Sequence, residues 1–166
     1  MHGAPDQFRA FTDRAVVEIP QRQHGAVVLG QLREHRLGDD AVQFGIPVLA
    51  ALERGGASIV EIGFPFSDPI ADGPVIAAAM HQAIAAGTTP ETLFDAVAAA
   101  RPGTGLGLVA MVSVSLVYRC GGPEGFCRRA SAAGLDGLIV PDAPFEEAGG
   151  VMKAAADAGE PLVEAT

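Results

Sequence analysis

The sequence predicts an α/β protein built on a parallel sheet. Two observations carry this. Short apolar runs, several with β-branched residues, alternate with amphipathic stretches at roughly the 10–15-residue helical length that βαβ units use. Glycine and proline punctuate nearly every junction, with Gly 21 and Pro 12 in 166 residues. The strand candidates are AVVLG at 26–30, IVEIGF at 59–64, GLVAMVSV at 107–114, GLIVP at 137–141 and PLVEA at 161–165. An open Rossmann-like sheet and part of a (β/α)8 barrel both accommodate them.

The elements follow in order. Phe8, Phe11, Ala15, Val16 and Ile19 recur at helical spacing, so residues 6–19 read as an N-terminal helix, and 1–25 as a lead-in to the βα units of 26–166. QLREHR at 31–36 is too charged to carry the first strand into a core. Val42, Ile46, Leu49 and Leu52 share one face of a helix over 41–54, which Gly55–Gly56 stop. IVEIGF suits a strand buried on both faces, interrupted by one charge, Glu61. PFSDPIADGP, with three prolines, two aspartates and a glycine, is an irregular loop. A helix over 75–87 comes next. Thr89 and Pro90 then open another, as N-cap and first helical residue. Further helices are expected at 123–134 and at 145–159, the last weakened by Gly149–Gly150. GTGLG at 103–107 is not a dinucleotide fingerprint, because it precedes a strand instead of joining a strand to a helix.

Composition bounds the function. The chain is 49% hydrophobic and 19% charged, a globular balance for a single domain. A net charge of −9 disfavours nucleic acid and anionic membranes as partners. Two cysteines, Cys120 and Cys127, make no disulfide framework and read as free thiols. No apolar run reaches the ~18–20 residues of a membrane span, so the expectation is a soluble cytoplasmic protein. His35 and His81 read as solvated surface, and no Cys/His spacing fits a zinc site.

Chemistry concentrates in EIGFPFSDPIADGP at 61–74, because parallel α/β folds place function where strands end and βα loops begin. Glu61 lies among Ile59, Val60, Ile62 and Phe64. A carboxylate there needs a reason, either proton transfer or pairing with a nearby Arg or Lys. Asp72, in the following loop, can return to the same pocket or cap the helix that starts near Pro74. Asp68, beside Pro69, fits an aspartate turn.

The stretch ExGxPFSDPxADGPxI resembles the signature of the tryptophan synthase α chain. AGLDGLIVPDAPFEE at 133–147, Gly38–Asp39 and AGTTPE at 86–91 are similar to further blocks of that family. The resemblance implies a TIM barrel that cleaves indole-3-glycerol phosphate to indole and glyceraldehyde 3-phosphate, without a cofactor of its own. It implies that Glu61 shuttles protons and that Asp72 accepts the indole N–H. It further implies that Ala110 and Ile139 line the indole pocket, for which ordinary core is the alternative. The partner implied is a β subunit carrying pyridoxal phosphate, in an αββα complex. Pro65, Phe66, Ser67 and Asp68 are then candidate interface residues.

The sequence departs from the family where QLREHR replaces an apolar first strand, so that the first strand is either AVVLG, slipped upstream, or damaged. Val112, Ser113 and Val114 stand where the family often has Tyr and Asn, and Glu164 stands where it has an apolar residue. A whole barrel takes ~250 residues, so the expectation is about five of eight βα units, an incomplete barrel without the late phosphate loops. Such a chain is expected to be feebly active, because remote binding energy is lost from the reacting centre. The alternative is a silent homologue that docks a β subunit as an interaction module.

Overall fold

The structure, a computed structural model, describes residues 24–27, 40–68, 73–159 and 162–163. Among the described residues, five strands form one parallel sheet in the order β1-β2-β3-β4-β5. They are β1 (His24–Val27), β2 (Ile59–Gly63), β3 (Gly107–Met111), β4 (Gly137–Ile139) and β5 (Leu162–Val163). The helices are α1 (Asp40–Arg54), α2 (Pro74–Ala85), α3 (Pro90–Ala100), α4 (Val114–Arg119), α5 (Gly122–Ala133) and α6 (Phe145–Ala158). A 3₁₀ turn at Arg101–Gly103 leads into β3, where GTGLG falls.

The strand order decides between the two parallel architectures. A doubly wound sheet reverses its order at a switch point. Here each strand pairs with the next in sequence without reversal, which is the progression of a (β/α)8 barrel. The sheet is five consecutive strands of such a barrel. The first strand does lie upstream of QLREHR, and it starts at His24, two residues inside the stretch expected to be lead-in. The expected helix at 6–19 and the Gly38–Asp39 pair lie outside the described residues.

Side-chain alternation gives the sheet two different faces. Val60, Ile62 and Phe64 from β2 and its end, Leu108, Ala110 and Val112 from β3, and Leu138 and Val140 from β4 belong to the buried cluster under the helices. Its centre is a triangle of rings, with Phe64 at 5.1 Å from Phe94 of α3 and 5.5 Å from Phe126 of α5, and those two 5.3 Å apart. Tilted and edge-on aromatic contacts of this kind add about 0.5–1.5 kcal/mol each beyond area burial. α1 packs beside α3, α3 beside α5, and α5 beside α6.

Helix ends follow the local chemistry. Thr89 caps α3 in a reciprocal box with Thr92, whose hydroxyl takes the place of the usual Glu or Gln. Gly56 at φ +89° follows α1 as expected. Gly149 and Gly150 do not interrupt α6: both are exposed, while Ala148, Val151, Ala154 and Ala155 bury the opposite face against the core. Tertiary packing overrides the weak local propensity.

One boundary differs from expectation. The strand read over 107–114 stops at Met111, and Val114 opens α4. Ser113 causes the switch, since its hydroxyl accepts the Ser115 N–H at 3.3 Å as an N-cap. The Asp142 carboxylate then takes the Val114 N–H at 2.8 Å, removing it from any strand ladder.

Candidate active site

Glu61 sits in the middle of β2, in register with Ala26 of β1 and Val109 of β3. Its neighbours Val60 and Ile62 point under the helices, so the Glu61 side chain belongs to the opposite face. Register carries that face across the sheet in two rows. The lower row is Glu61, Val109 and Gly137, and the upper row is Gly63, Met111 and Ile139. In a closed barrel this is the interior face, and the upper row lies toward the strands' C-terminal ends, where barrel enzymes place their chemistry.

Glu61, Met111 and Ile139 are half-buried, while Val109 is 4% exposed. Among the described residues Glu61 has neither a hydrogen-bond partner nor a cation within salt-bridge distance. The ion pairs present lie elsewhere, between Arg101 and Asp136, Arg129 and Glu91, and Lys153 and Asp157. A half-buried carboxylate among apolar neighbours is available for proton transfer on geometry alone.

Asp72 lies outside the described residues. The N-cap position of α2 belongs to Gly73, which makes no side-chain cap bond, with Pro74 as the first helical residue.

The two proposed pocket residues separate. Ile139 shares the Glu61 face, in the upper row with Met111. Ala110 does not: it pairs in register with Ile62 and Leu138, fully buried beneath the helices. The alternative reading, ordinary core, is correct for Ala110, and its place on the Glu61 face is taken by Val109 and Met111. Counting by two from Glu61 through a parallel register would have found both.

The loop after β2 begins with Phe64, whose N–H donates to the Met111 carbonyl at 2.8 Å. Phe66 is half-buried and packs against the core, Pro65 is half-buried, and Ser67 and Asp68 are exposed. The Ser67 hydroxyl donates to Asp68 Oδ2 at 2.7 Å. His81 of α2 is exposed, as expected, yet not idle. Its Nε2 lies 3.1 Å from the Ser67 carbonyl, tying this loop to α2, and its Nδ1 lies 2.9 Å from the Ala77 carbonyl. Of the four candidate interface residues, only Ser67 and Asp68 offer freely exposed side chains.

One residue not singled out in the sequence joins the same end of the sheet. Asp142, just past β4, accepts the Ser113 hydroxyl at 2.6 Å and the Val114 N–H at 2.8 Å. Elsewhere, burial pushes the Cys120 thiol above its ordinary range, with Glu91 adding to the effect, and Cys127 is fully buried. Among the described residues no group of three or more His, Cys, Asp or Glu could hold a metal ion, and no helix is long and apolar enough to cross a membrane.

Comparison with known proteins adds a family to this geometry. The family model described as tryptophan synthase alpha chain matches residues 36–165. The tryptophan synthase alpha chain of Carboxydothermus hydrogenoformans is 44% identical over 126 residues, which cover 76% of this chain and 47% of that one. That of Shewanella amazonensis is 43% identical over 122 residues, covering 72% and 45%. Among solved structures, the tryptophan synthase complex from Pyrococcus furiosus superimposes with a TM-score of 0.73 at 29% identity, covering 86% of this chain and 55% of that one. Tryptophan synthase subunit alpha from Legionella pneumophila gives 0.73 at 26% identity, covering 95% and 54%. The chain spans about half the length of the relatives it matches.

Proposed function

The chain belongs to the tryptophan synthase alpha chain family, and from that premise we propose that it is a lyase releasing indole and glyceraldehyde 3-phosphate from indole-3-glycerol phosphate. The observation that carries the reading is the place of Glu61. It is a carboxylate on the interior face of a barrel strand, without a cation among the described residues, four residues before PFSDPIADGP begins.

The chemistry needs an acid and a base in turn. Glu61, protonated, delivers its proton to indole C3, which turns the ring nitrogen into an iminium. Its carboxylate then takes the proton of the glyceryl hydroxyl next to the bond that breaks. As the aldehyde forms, the electron pair of the C3–C bond returns to the indole ring and neutralises the iminium. Asp72 would hold the indole N–H and stabilise the positive charge that builds at nitrogen, an electrostatic role suited to an ionised group. Ile139, with Met111 and Val109 beside it, would supply the apolar wall against the ring.

Pro65, Phe66, Ser67 and Asp68 would face a β subunit. Any pyridoxal phosphate in such a complex would belong to that partner. The setting implied is cytoplasmic amino-acid biosynthesis.

Indole release from indole-3-glycerol phosphate, followed with the purified chain, tests the reading. Release above the no-protein control, increasing in proportion to protein, is expected. A folded chain that releases none at millimolar substrate overturns it. Co-sedimentation with a β subunit tests the interface, and Asp68→Lys should weaken it.

A further inference from the structure

The connection leaving β3 is tied, residue by residue, to the end of β4. Val112 N–H donates to the Ile139 carbonyl at 2.9 Å. The Ser113 hydroxyl donates to Asp142 Oδ2 at 2.6 Å, and the Val114 N–H donates to Asp142 Oδ1 at 2.8 Å. Ser113 accepts in turn from the Ser115 N–H, which starts α4. Both oxygens of one half-buried carboxylate are thereby engaged, each at charge-assisted length.

The strands themselves do not require this clamp. β3 and β4 are already laddered from Val109↔Gly137 to Met111↔Ile139. The clamp lies just beyond that last pair, and Met111 and Ile139 are the outermost side chains of the row on the Glu61 face. Its location matches the mouth of the site and not the far end of the strands, where a different carboxylate, Asp136, ties the same two strands.

We infer that Asp142 is a positioning residue which, through Ser113, sets the separation and height of the Met111–Ile139 wall against which a flat aromatic ligand packs. The identity of that ligand as indole rests on the lyase reading, but the clamp can be read without turnover. Removing either partner lets the β3–α4 connection relax away from β4, so the wall loses its fixed shape. One charge-assisted bond to a half-buried group corresponds to about tenfold in affinity.

The test uses the full chain with ¹³C-labelled methionine methyls and indole as the probe. Met111 faces the site, while Met80 is buried on α2 and Met152 lies 41% exposed on α6. The expected result is that indole moves the Met111 methyl resonance and leaves Met80 and Met152 in place. Asp142→Asn and Ser113→Ala should each shift Met111 in the free protein and weaken indole binding about tenfold. The double variant should do no worse than either single change, and Ser113→Thr, which keeps a hydroxyl, should restore both readouts. Variants that merely lower the melting temperature, with Met111 and indole affinity unchanged in the folded protein, would overturn the inference. If wild-type Met111 ignores indole but still moves in Asp142→Asn, the clamp stands and the lyase reading fails. If Asp142→Asn does not fold, the Ser113→Ala and Ser113→Thr pair decides the matter.

Discussion

Asp136 holds the Arg101 guanidinium at 2.9 Å and the Leu108 N–H at 2.8 Å on the same oxygen, Oδ2. One carboxylate thus joins the end of α3, the start of β3 and the lead-in to β4. Arg101 also donates to the Thr104 carbonyl at 2.8 Å, so the turn into β3 is fastened twice. Asp136→Ala leaves the N–H of fully buried Leu108 without its partner, and that desolvation dominates the half-exposed ion pair. The expected cost is about 2 kcal/mol, read as a lower urea midpoint at unchanged slope. Arg101→Met, which breaks only the ion pair, should cost less than half as much.

Gly134 ends α5 at φ +87°, and a Cβ there would stand 2.6 Å from Cγ of Arg101. Gly159 ends α6 at φ +81° with nothing within 4 Å. Both need the left-handed conformation, which costs an alanine about 1 kcal/mol. Only Gly134→Ala also displaces the arginine that serves Asp136. Gly134→Ala should therefore lower the melting temperature clearly more than Gly159→Ala, and equal shifts would show that Arg101 moves aside freely.

How much of this was readable beforehand depends on the kind of signal. Thr89–Pro90 and Gly55–Gly56 act through local backbone chemistry, so their helix ends could be read from adjacent residues. The end of β3 could not. Val112, Ser113 and Val114 alternate with strand period and strand composition, and the Ser113 cap that ends the strand is held by Asp142, 28 residues away from Val114. The choice of Ala110 over Val109 failed for a related reason. A strand buried on both faces is a continuous apolar run, and its periodicity says nothing about which side is which. The face becomes legible only when Glu61 is taken as the reference and the parallel register is counted across. Glu61 itself was legible because a lone charge in an apolar strand stands out from its neighbours.

Glu91 illustrates a modest electrostatic gain at a helix start. It lies in the first turn of α3, and its carboxyl is held below the ordinary value first by a backbone N–H and also by Arg129, whose guanidinium lies 3.2 Å away. Arg129 in turn rests 4.7 Å over the Phe94 ring. A depressed folded-state value means that the stabilisation is fully present above the carboxylate's unfolded range. It is lost as pH falls through the folded one. Glu91 is largely exposed, so screening keeps the gain to about 0.5 kcal/mol. Glu91→Gln should lower stability slightly at pH 7 and not at pH 3, in urea titrations at low salt.

Glu61→Gln separates chemistry from structure most directly. The amide keeps the size and the polar contacts of the side chain but can neither deliver nor accept the proton that cleavage requires. A residue that serves as acid and base in turn contributes at least about 10²–10⁴-fold, so indole release should fall to the control. Stability should not fall with it. Glu61 has no ion pair among the described residues, and an amide of the same size on this half-buried position breaks no ion pair. Melting temperature unchanged or raised, with activity gone, is the expected pair of results. Asp136→Ala supplies the opposite control, losing stability through a carboxylate that binds the Leu108 N–H at the start of β3 and not through the Glu61 side chain. A Glu61→Gln chain that melts earlier yet still releases indole would place this carboxylate among the structural groups and leave the proton transfer to another residue.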